Sequence, residues 1–258
     1  MTLDQLIVPL RDDPASAAIF CDFDGTLSPI VADPATARPL TGVRKALGAL
    51  VEPYGLVAVV SGRPVDFLED VVPDGVVVSG LYGLESLRDG VRTDLEGAGV
   101  WREVVQHVAT ASRAGGPLGM LVESKGLSLT LHYRANPELA DEVKDWADAQ
   151  AVRSGLLVRP ARMSVELHPP IECDKGTAVR TLVDGLRAAL YIGDDAGDLP
   201  AFTALDALAI EGAAVAKVAV RSPEAPEALL DAADAVVDGP SGALHLLRAL
   251  LPDPASRG

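Results

Sequence analysis

Cysteine is scarce in this chain: there are two among 258 residues, Cys21 and Cys173, far apart in sequence. Two thiols cannot form the disulfide framework that staples small secreted domains, so both are expected as small buried residues. Basic residues are also few, 22 Lys and Arg against 37 Asp and Glu, for a formal net charge of −15. So acidic a surface repels a phosphate backbone, and no nucleic-acid partner is expected. A small phosphorylated ligand stays compatible with it, because a cation and a few local donors can hold one phosphate inside an acidic shell. Apolar runs stop well short of a bilayer-spanning length, so no membrane partner is expected. The N-terminus lacks the charged stretch, apolar stretch and cleavage site that together mark secretion, which points to a soluble cytoplasmic protein. Long repeats, low-complexity tracts and obvious flexible linkers are missing too.

What is present is a core-forming composition, 48% apolar, arranged as strands alternating with helices. That alternation favours a mostly parallel sheet covered on both faces. Strands are expected at Ala18–Phe23, Leu56–Val60, Val76–Ser79, Ala188–Ile192, Ala207–Ile210 and Ala233–Val237. Helices are expected at Thr41–Val51, Leu199–Leu205 and Gly242–Leu250, and after Asp174, a plausible N-cap. In that last helix Val179, Leu182, Val183 and Leu186 recur at i, i+3, i+4 and i+7.

The stretch 97–170 reads differently. Trp101, Val104, Val105 and Val108 mark a helix. Leu127, Leu129, Leu131 and Tyr133 alternate with Ser128, Thr130, His132 and Arg134, and Met163, Val165 and Leu167 alternate with Ser164, Glu166 and His168. A period of two gives strands with one apolar and one polar face. A second helix is expected from Asn136 as N-cap and Pro137 in the first turn, with Leu139, Val143 and Trp146 inward. Two units follow: a core from 1–96 and 171–258, and a small inserted α/β unit from 97–170, built as an antiparallel sheet with two helices on one face.

Four motifs carry chemistry. In Cys21-Asp22-Phe23-Asp24-Gly25-Thr26 an apolar strand runs into two carboxylates and a glycine turn, at the strand end where open α/β sheets bind ligands. Val60-Ser61-Gly62-Arg63 ends a second strand with a hydroxyl that can donate to a phosphoryl oxygen. Asp174-Lys175-Gly176 places an ammonium at a helix N-terminus, which the helix dipole disfavours. Gly193-Asp194-Asp195-Ala196-Gly197-Asp198 gathers three carboxylates in five residues. They repel one another unless a cation joins them, and oxygen-only ligands point to a hard ion, magnesium above zinc.

The joint order of these motifs resembles the haloacid dehalogenase (HAD) superfamily of phosphatases. The resemblance implies a Rossmann-like HAD core with a parallel sheet, plus an inserted α/β cap of the C2 type that selects substrate. It implies catalysis by Asp22 as nucleophile and Asp24 as general acid and then base, with Ser61 and Lys175 holding the phosphoryl group beside Gly62 and Arg63. It implies Mg2+ on Asp22, the carbonyl of Asp24 and Asp194, with Asp195 and Asp198 completing the site directly or through water. Glu123-Ser124-Lys125-Gly126, His132-Tyr133-Arg134, Glu166 and Gly80-Leu81-Tyr82-Gly83-Leu84-Glu85 are similar to trehalose-6-phosphate phosphatases, where Glu123, Lys125 and Glu166 would hold the distal glucose. A small sugar phosphate, trehalose 6-phosphate in trehalose biosynthesis, is then the expected substrate. Sucrose phosphate, a glycosyl-glycerate phosphate, or a catalytically silent sugar-phosphate-binding role are the alternatives. Two departures stand out: the family commonly has histidine where Tyr82 stands and threonine or similar where Gly197 stands.

Overall fold

A computed structural model of the chain describes residues 2–31, 33–161, 163–222 and 225–251. Its strands are β1 (Ala17–Cys21), β2 (Leu56–Val60), β3 (Val77–Gly80), β4 (Glu85–Arg88), β5 (Val91–Asp94), β6 (Leu121–Ser124), β7 (Leu129–His132), β8 (Leu157–Ala161), β9 (Ser164–His168), β10 (Ala188–Gly193), β11 (Ala214–Arg221) and β12 (Ala235–Asp238). Two sheets result, ordered β12-β11-β10-β1-β2-β3-β4-β5 and β6-β7-β9-β8. The chain divides into two compact units, Met1–Thr93 with Cys173–Gly258, and Asp94–Glu172.

In the first unit, β12 through β3 are parallel and β4 returns antiparallel on β3. The central strands are apolar on both faces because both are covered. Ile19, Cys21, Val57, Val59, Leu190 and Ile192 enter one core, closed by residues of helices Val43–Val51, Val65–Val71 and Gly239–Ala249. Ala18, Phe20, Ala58, Val60, Ala189 and Tyr191 enter the other, closed by helices Lys175–Leu182 and Leu199–Ile210. Each large side chain so buried contributes about 1.5–3 kcal/mol. β1 lies between β10 and β2, with Cys21 opposite both Ile192 and Val59. The sheet order reverses there, so the ends of three strands deliver Asp22, Ser61 and Asp194 to one place.

In the second unit every strand pair is antiparallel. Leu129, Leu131, Val165 and Leu167 face helices Arg102–Gly115 and Ala140–Ser154 in a third core. Ser128, Thr130, Ser164, Glu166 and His168 alternate with them and are buried as well.

Several expected elements differ. Ala207–Ile210 is not a strand; it is the last turn of helix Leu199–Ile210, and the strand follows as β11. Alanine and leucine extend a helix readily, whereas Val215, Val218 and Val220 suit a strand. Asn136 does not cap the second unit's second helix: its amide donates to the Gly119 carbonyl at 3.0 Å, and a 3-10 turn at Pro137–Leu139 precedes the helix. The helix expected from Thr41 begins at Val43, after Gly42 in the left-handed region. β4 and β5 are joined by Asp89-Gly90, both at positive φ as a tight hairpin turn requires. β8 is an edge strand, where Pro160 is tolerated. No described helix is long and apolar enough to cross a membrane.

Asp174 caps the helix Lys175–Leu182 as expected. Its carboxylate accepts from the Thr177 amide at 2.7 Å, and the Thr177 hydroxyl accepts from the Asp174 amide at 2.8 Å. Asp174→Ala removes this reciprocal cap and is expected to lower stability by about 1 kcal/mol, read as a lower midpoint in urea unfolding; an unchanged midpoint would show that the cap is dispensable.

Candidate active site

Asp22 continues the β1–β10 ladder by one residue, its amide donating to the Ile192 carbonyl at 2.9 Å. Its carboxylate therefore leaves the sheet beside the loop that follows β10. Lys175, the first residue of its helix, reaches the same point and is 2% exposed. Its Nζ donates to Asp22 Oδ1 at 2.6 Å and to Asp198 Oδ1 at 2.6 Å. Asp195 Oδ1 stands 3.9 Å from the same ammonium.

Asp198 organises the loop. Its Oδ1 also accepts from the Tyr191 hydroxyl at 2.6 Å, and its Oδ2 accepts from the amides of Asp194 and Asp195 at 2.9 and 3.0 Å. Four donors fill this carboxylate, so it fixes the backbone of Asp194 more than it offers a free oxygen. Asp195 accepts from the Gly197 amide and is mostly exposed. Asp194 is buried, with the Thr26 hydroxyl 3.4 Å from its Oδ1. Oxygens of Asp22, Asp194 and Asp198 lie within 4.8 Å of one another.

Two glycines permit this approach. A Cβ on Gly25, whose φ is +80°, would lie 2.0 Å from Asp194 Oδ2, and a Cβ on Gly193 would lie 2.2 Å from Asp198 Cγ. A side chain at Gly25 would push its turn away from the loop after β10, and one at Gly193 would displace Asp198 within that loop.

Asp24 is taken by Arg63. Nε and Nη2 donate to its two oxygens at 2.7 and 2.8 Å, Nη1 donates to the Pro34 carbonyl at 2.8 Å, and the guanidinium lies 4.5 Å over the Phe67 ring. This bidentate fork sets the carboxylate's orientation. Ser61 is buried, and its Oγ accepts from the Arg63 amide at 3.2 Å. Gly62 packs close to Tyr82; a Cβ on it would meet the Tyr82 ring at 2.6 Å. A Cβ on Gly197 would meet the same ring at 3.8 Å. The two departures from the family pattern are thus neighbours, a large ring beside a residue with no side chain.

Within the second unit, Glu166 Oε1 accepts from the Ser128 hydroxyl at 2.8 Å and lies 3.8 Å from Lys125 Nζ, and its Oε2 lies 3.7 Å from Arg159 Nη1. His132 Nε2 is 2.8 Å from Glu123 Oε2. Arg134 lies past the end of β7 and is exposed. Burial, then Arg159, pushes the His168 imidazole below its ordinary value, while its Nδ1 lies 2.8 Å from the Pro169 carbonyl. Sequence reasoning missed Arg159, because β8 carries no clear alternation. It also missed Tyr191, whose signal was a hydroxyl-bearing ring in an otherwise apolar strand.

One ammonium among several buried carboxyls is electrostatically incomplete. At 4.8 Å two like charges repel by about 3 kcal/mol at an effective dielectric near 20. Burial raises the Asp22 carboxyl well above its ordinary value; Lys175 opposes this, and Asp198, Asp194 and Asp195 add to it. Burial, then Asp198 and Asp195, pushes Asp194 up to about 7. Burial alone would lower Lys175, but Asp198 and Asp22 outweigh it and hold it as an ammonium. An oxygen-only, buried, charge-deficient donor set fits a hard divalent cation. Cys21 is out of this chemistry: burial, then Asp22, drives its thiol far above the ordinary range, which makes it inert.

The unfolded chain holds Asp194 near the ordinary carboxylate value of about 4. Without a cation the folded chain therefore binds more protons between about pH 4 and 7, and this group's contribution to stability falls as pH rises through that window. A cation favours the ionised form and reverses the trend. Magnesium chloride is expected to raise the Tm of chelator-stripped protein more at about pH 8 than at about pH 5.5. Melts at both pH values check this; equal increments would contradict a metal-binding role for the cluster.

The sequence profile of the trehalose-phosphatase family matches residues 20–230. A trehalose-phosphate phosphatase of Mycobacterium ulcerans (strain Agy99) is 37% identical over 200 residues, 73% of this chain and 51% of the relative. The chain thus spans about half the length of such mycobacterial relatives. Among solved structures, the C-terminal domain of the Candida albicans trehalose-6-phosphate phosphatase aligns over 97% of both chains with a TM-score of 0.75 at 24% identity. A haloacid dehalogenase-like hydrolase from Bacteroides thetaiotaomicron aligns over 90% of this chain and 98% of its own, with a TM-score of 0.63 at 16% identity. At those identities the structures attest the fold, a HAD-like α/β core, and the profile attests the lineage: the chain belongs to the trehalose-phosphatase family.

Proposed function

We propose that this chain is a magnesium-dependent phosphatase that hydrolyses trehalose 6-phosphate to trehalose and phosphate through an aspartyl-phosphate on Asp22. The observation that carries the reading is the Asp22–Lys175–Asp198 arrangement at the sheet's switch point, with Asp24 two residues further on in the Arg63 fork. Asp22 Oδ attacks phosphorus while the bond from phosphorus to the sugar oxygen breaks, and Asp24, protonated and turned out of the Arg63 fork that holds both its oxygens in the free chain, gives its proton to the leaving oxygen. Asp24 then takes a proton from the water that attacks the acyl phosphate, which frees phosphate and restores Asp22. Lys175 offsets the charge of the phosphoryl oxygens, and the Ser61 hydroxyl donates to one of them. Asp22, Asp194 and the Asp24 carbonyl would hold Mg2+, which when bound supplies Lewis-acid neutralisation of the phosphate. Asp198 acts through Lys175 and the Asp194 backbone.

Substrate choice belongs to the second unit. Glu123, Lys125, Glu166 and their neighbours supply carboxylates, an ammonium and hydroxyls on one face, and sugar hydroxyls both donate and accept. We assign residues 94–172 the role of a substrate-selecting cap on that basis.

Asp22→Asn is expected to remove phosphate release with the fold kept, read by phosphate assay beside circular dichroism; normal turnover in a folded variant would refute the nucleophile. Phosphate release from a panel of sugar phosphates, trehalose 6-phosphate and sucrose phosphate included, tests the substrate. Glu166→Ala is expected to cost trehalose 6-phosphate turnover about tenfold more than p-nitrophenyl phosphate turnover. Equal losses on the two substrates would remove the sugar-reading role.

A further inference from the structure

One group on the polar face of the second unit has nothing to do in the chain as folded. Thr130 is 3% exposed. Its Oγ1 is, among the described residues, the buried side-chain polar atom without a hydrogen-bond partner. Such a group costs stability, and a native fold that keeps one calls for a reason. Its neighbours are all engaged. The ladder sets Thr130 opposite Glu123 on β6 and opposite Glu166 on β9, and sets Glu166 opposite Arg159 on β8. Glu123, Thr130, Glu166 and Arg159 thus form one row across all four strands. Leu129 and Leu131 on either side of Thr130 point into the apolar core, so the hydroxyl points to the polar face.

We propose that Thr130 is a specificity-determining residue whose hydroxyl exchanges a hydrogen bond with a hydroxyl group of the substrate's sugar. This rests on the reading of the face as sugar-selecting. The chemistry asks for such a group at this place. The two carboxylates flanking Thr130 only accept, so a sugar hydroxyl that donates to one of them keeps lone pairs for a donor in the same row, beside Ser128, Lys125 and Arg159 that already lie on Glu166. Thr130 is that donor, and its hydroxyl can also accept from a neighbouring sugar hydroxyl. A site that satisfies a substrate hydroxyl in this way discriminates strongly against an analogue lacking it.

Thr130→Val keeps the shape and the β-branching while removing the hydroxyl. Two effects of opposite sign are expected. The Tm of the free protein stays level or rises, since an unpaired buried group is gone. The ratio of kcat/KM for the best sugar phosphate in the panel to that for p-nitrophenyl phosphate falls about tenfold, with the loss in KM. Thr130→Ser is expected to keep most of the ratio. A Thr130→Val protein that retains the wild-type ratio overturns the inference. If valine lowers the Tm, Thr130→Ala is read in its place, and a retained ratio there overturns it equally. Glu123→Gln separates this from the broader reading: a ratio lost in Glu123→Gln but kept in Thr130→Val sinks Thr130 alone, whereas a ratio kept in both sinks the sugar-selecting face as well.

Discussion

The Lys175 ammonium between Asp22 and Asp198 is the contact on which the rest of the site depends. Three strand ends bring carboxyl and hydroxyl groups together at a place that excludes water, and like charges so placed would drive the loops apart. One cation, held at 2.6 Å from two of the carboxylates, keeps them in register. It does not neutralise them all. The oxygens of Asp22, Asp194 and Asp198 form an acidic triad that could hold a metal ion, and Asp194 is pushed up to about 7 by burial first and by Asp198 and Asp195 after it.

Placement of that ammonium follows from a chain of local causes. Asp174 caps the helix and fixes Lys175 as its first residue. A Cβ on Gly176 would lie 2.3 Å from the Pro200 carbonyl, so that residue's lack of a side chain lets the helix start lie against the first turn of helix Leu199–Ile210. Asp198 spends both oxygens on four donors, two of them backbone amides, and so ties the acidic loop to Lys175 and Tyr191. Precision in a site of this kind comes from such supporting groups more than from the reacting ones.

The two units differ in how their polar groups are met. In the first, charge is concentrated and met by charge. In the second, Glu166 is shared among Ser128, Lys125 and Arg159, a mixed set of donors on an antiparallel sheet. The period of two along β7 and β9 makes this possible, because one strand can put apolar residues on one face and polar residues on the other.

Much of this was legible in the order of residues. Apolar strands ending in carboxylates or a hydroxyl marked the site, because a two-sided parallel strand reads as a continuous apolar run and its end is where polarity begins. Asp174 as a cap and the polar alternation of β7 and β9 follow from backbone geometry that repeats locally. The end of helix Leu199–Ile210 and the whole of β8 did not, since short apolar or proline-containing stretches suit more than one state until neighbours decide. Long-range pairings also lay beyond the sequence: Arg63 turned toward Asp24, Lys175 reaching Asp22, Arg159 across from Glu166, and Thr130 left with none. Each depends on which groups the strands bring face to face, and that is settled by sheet order and register, which no single stretch of sequence encodes.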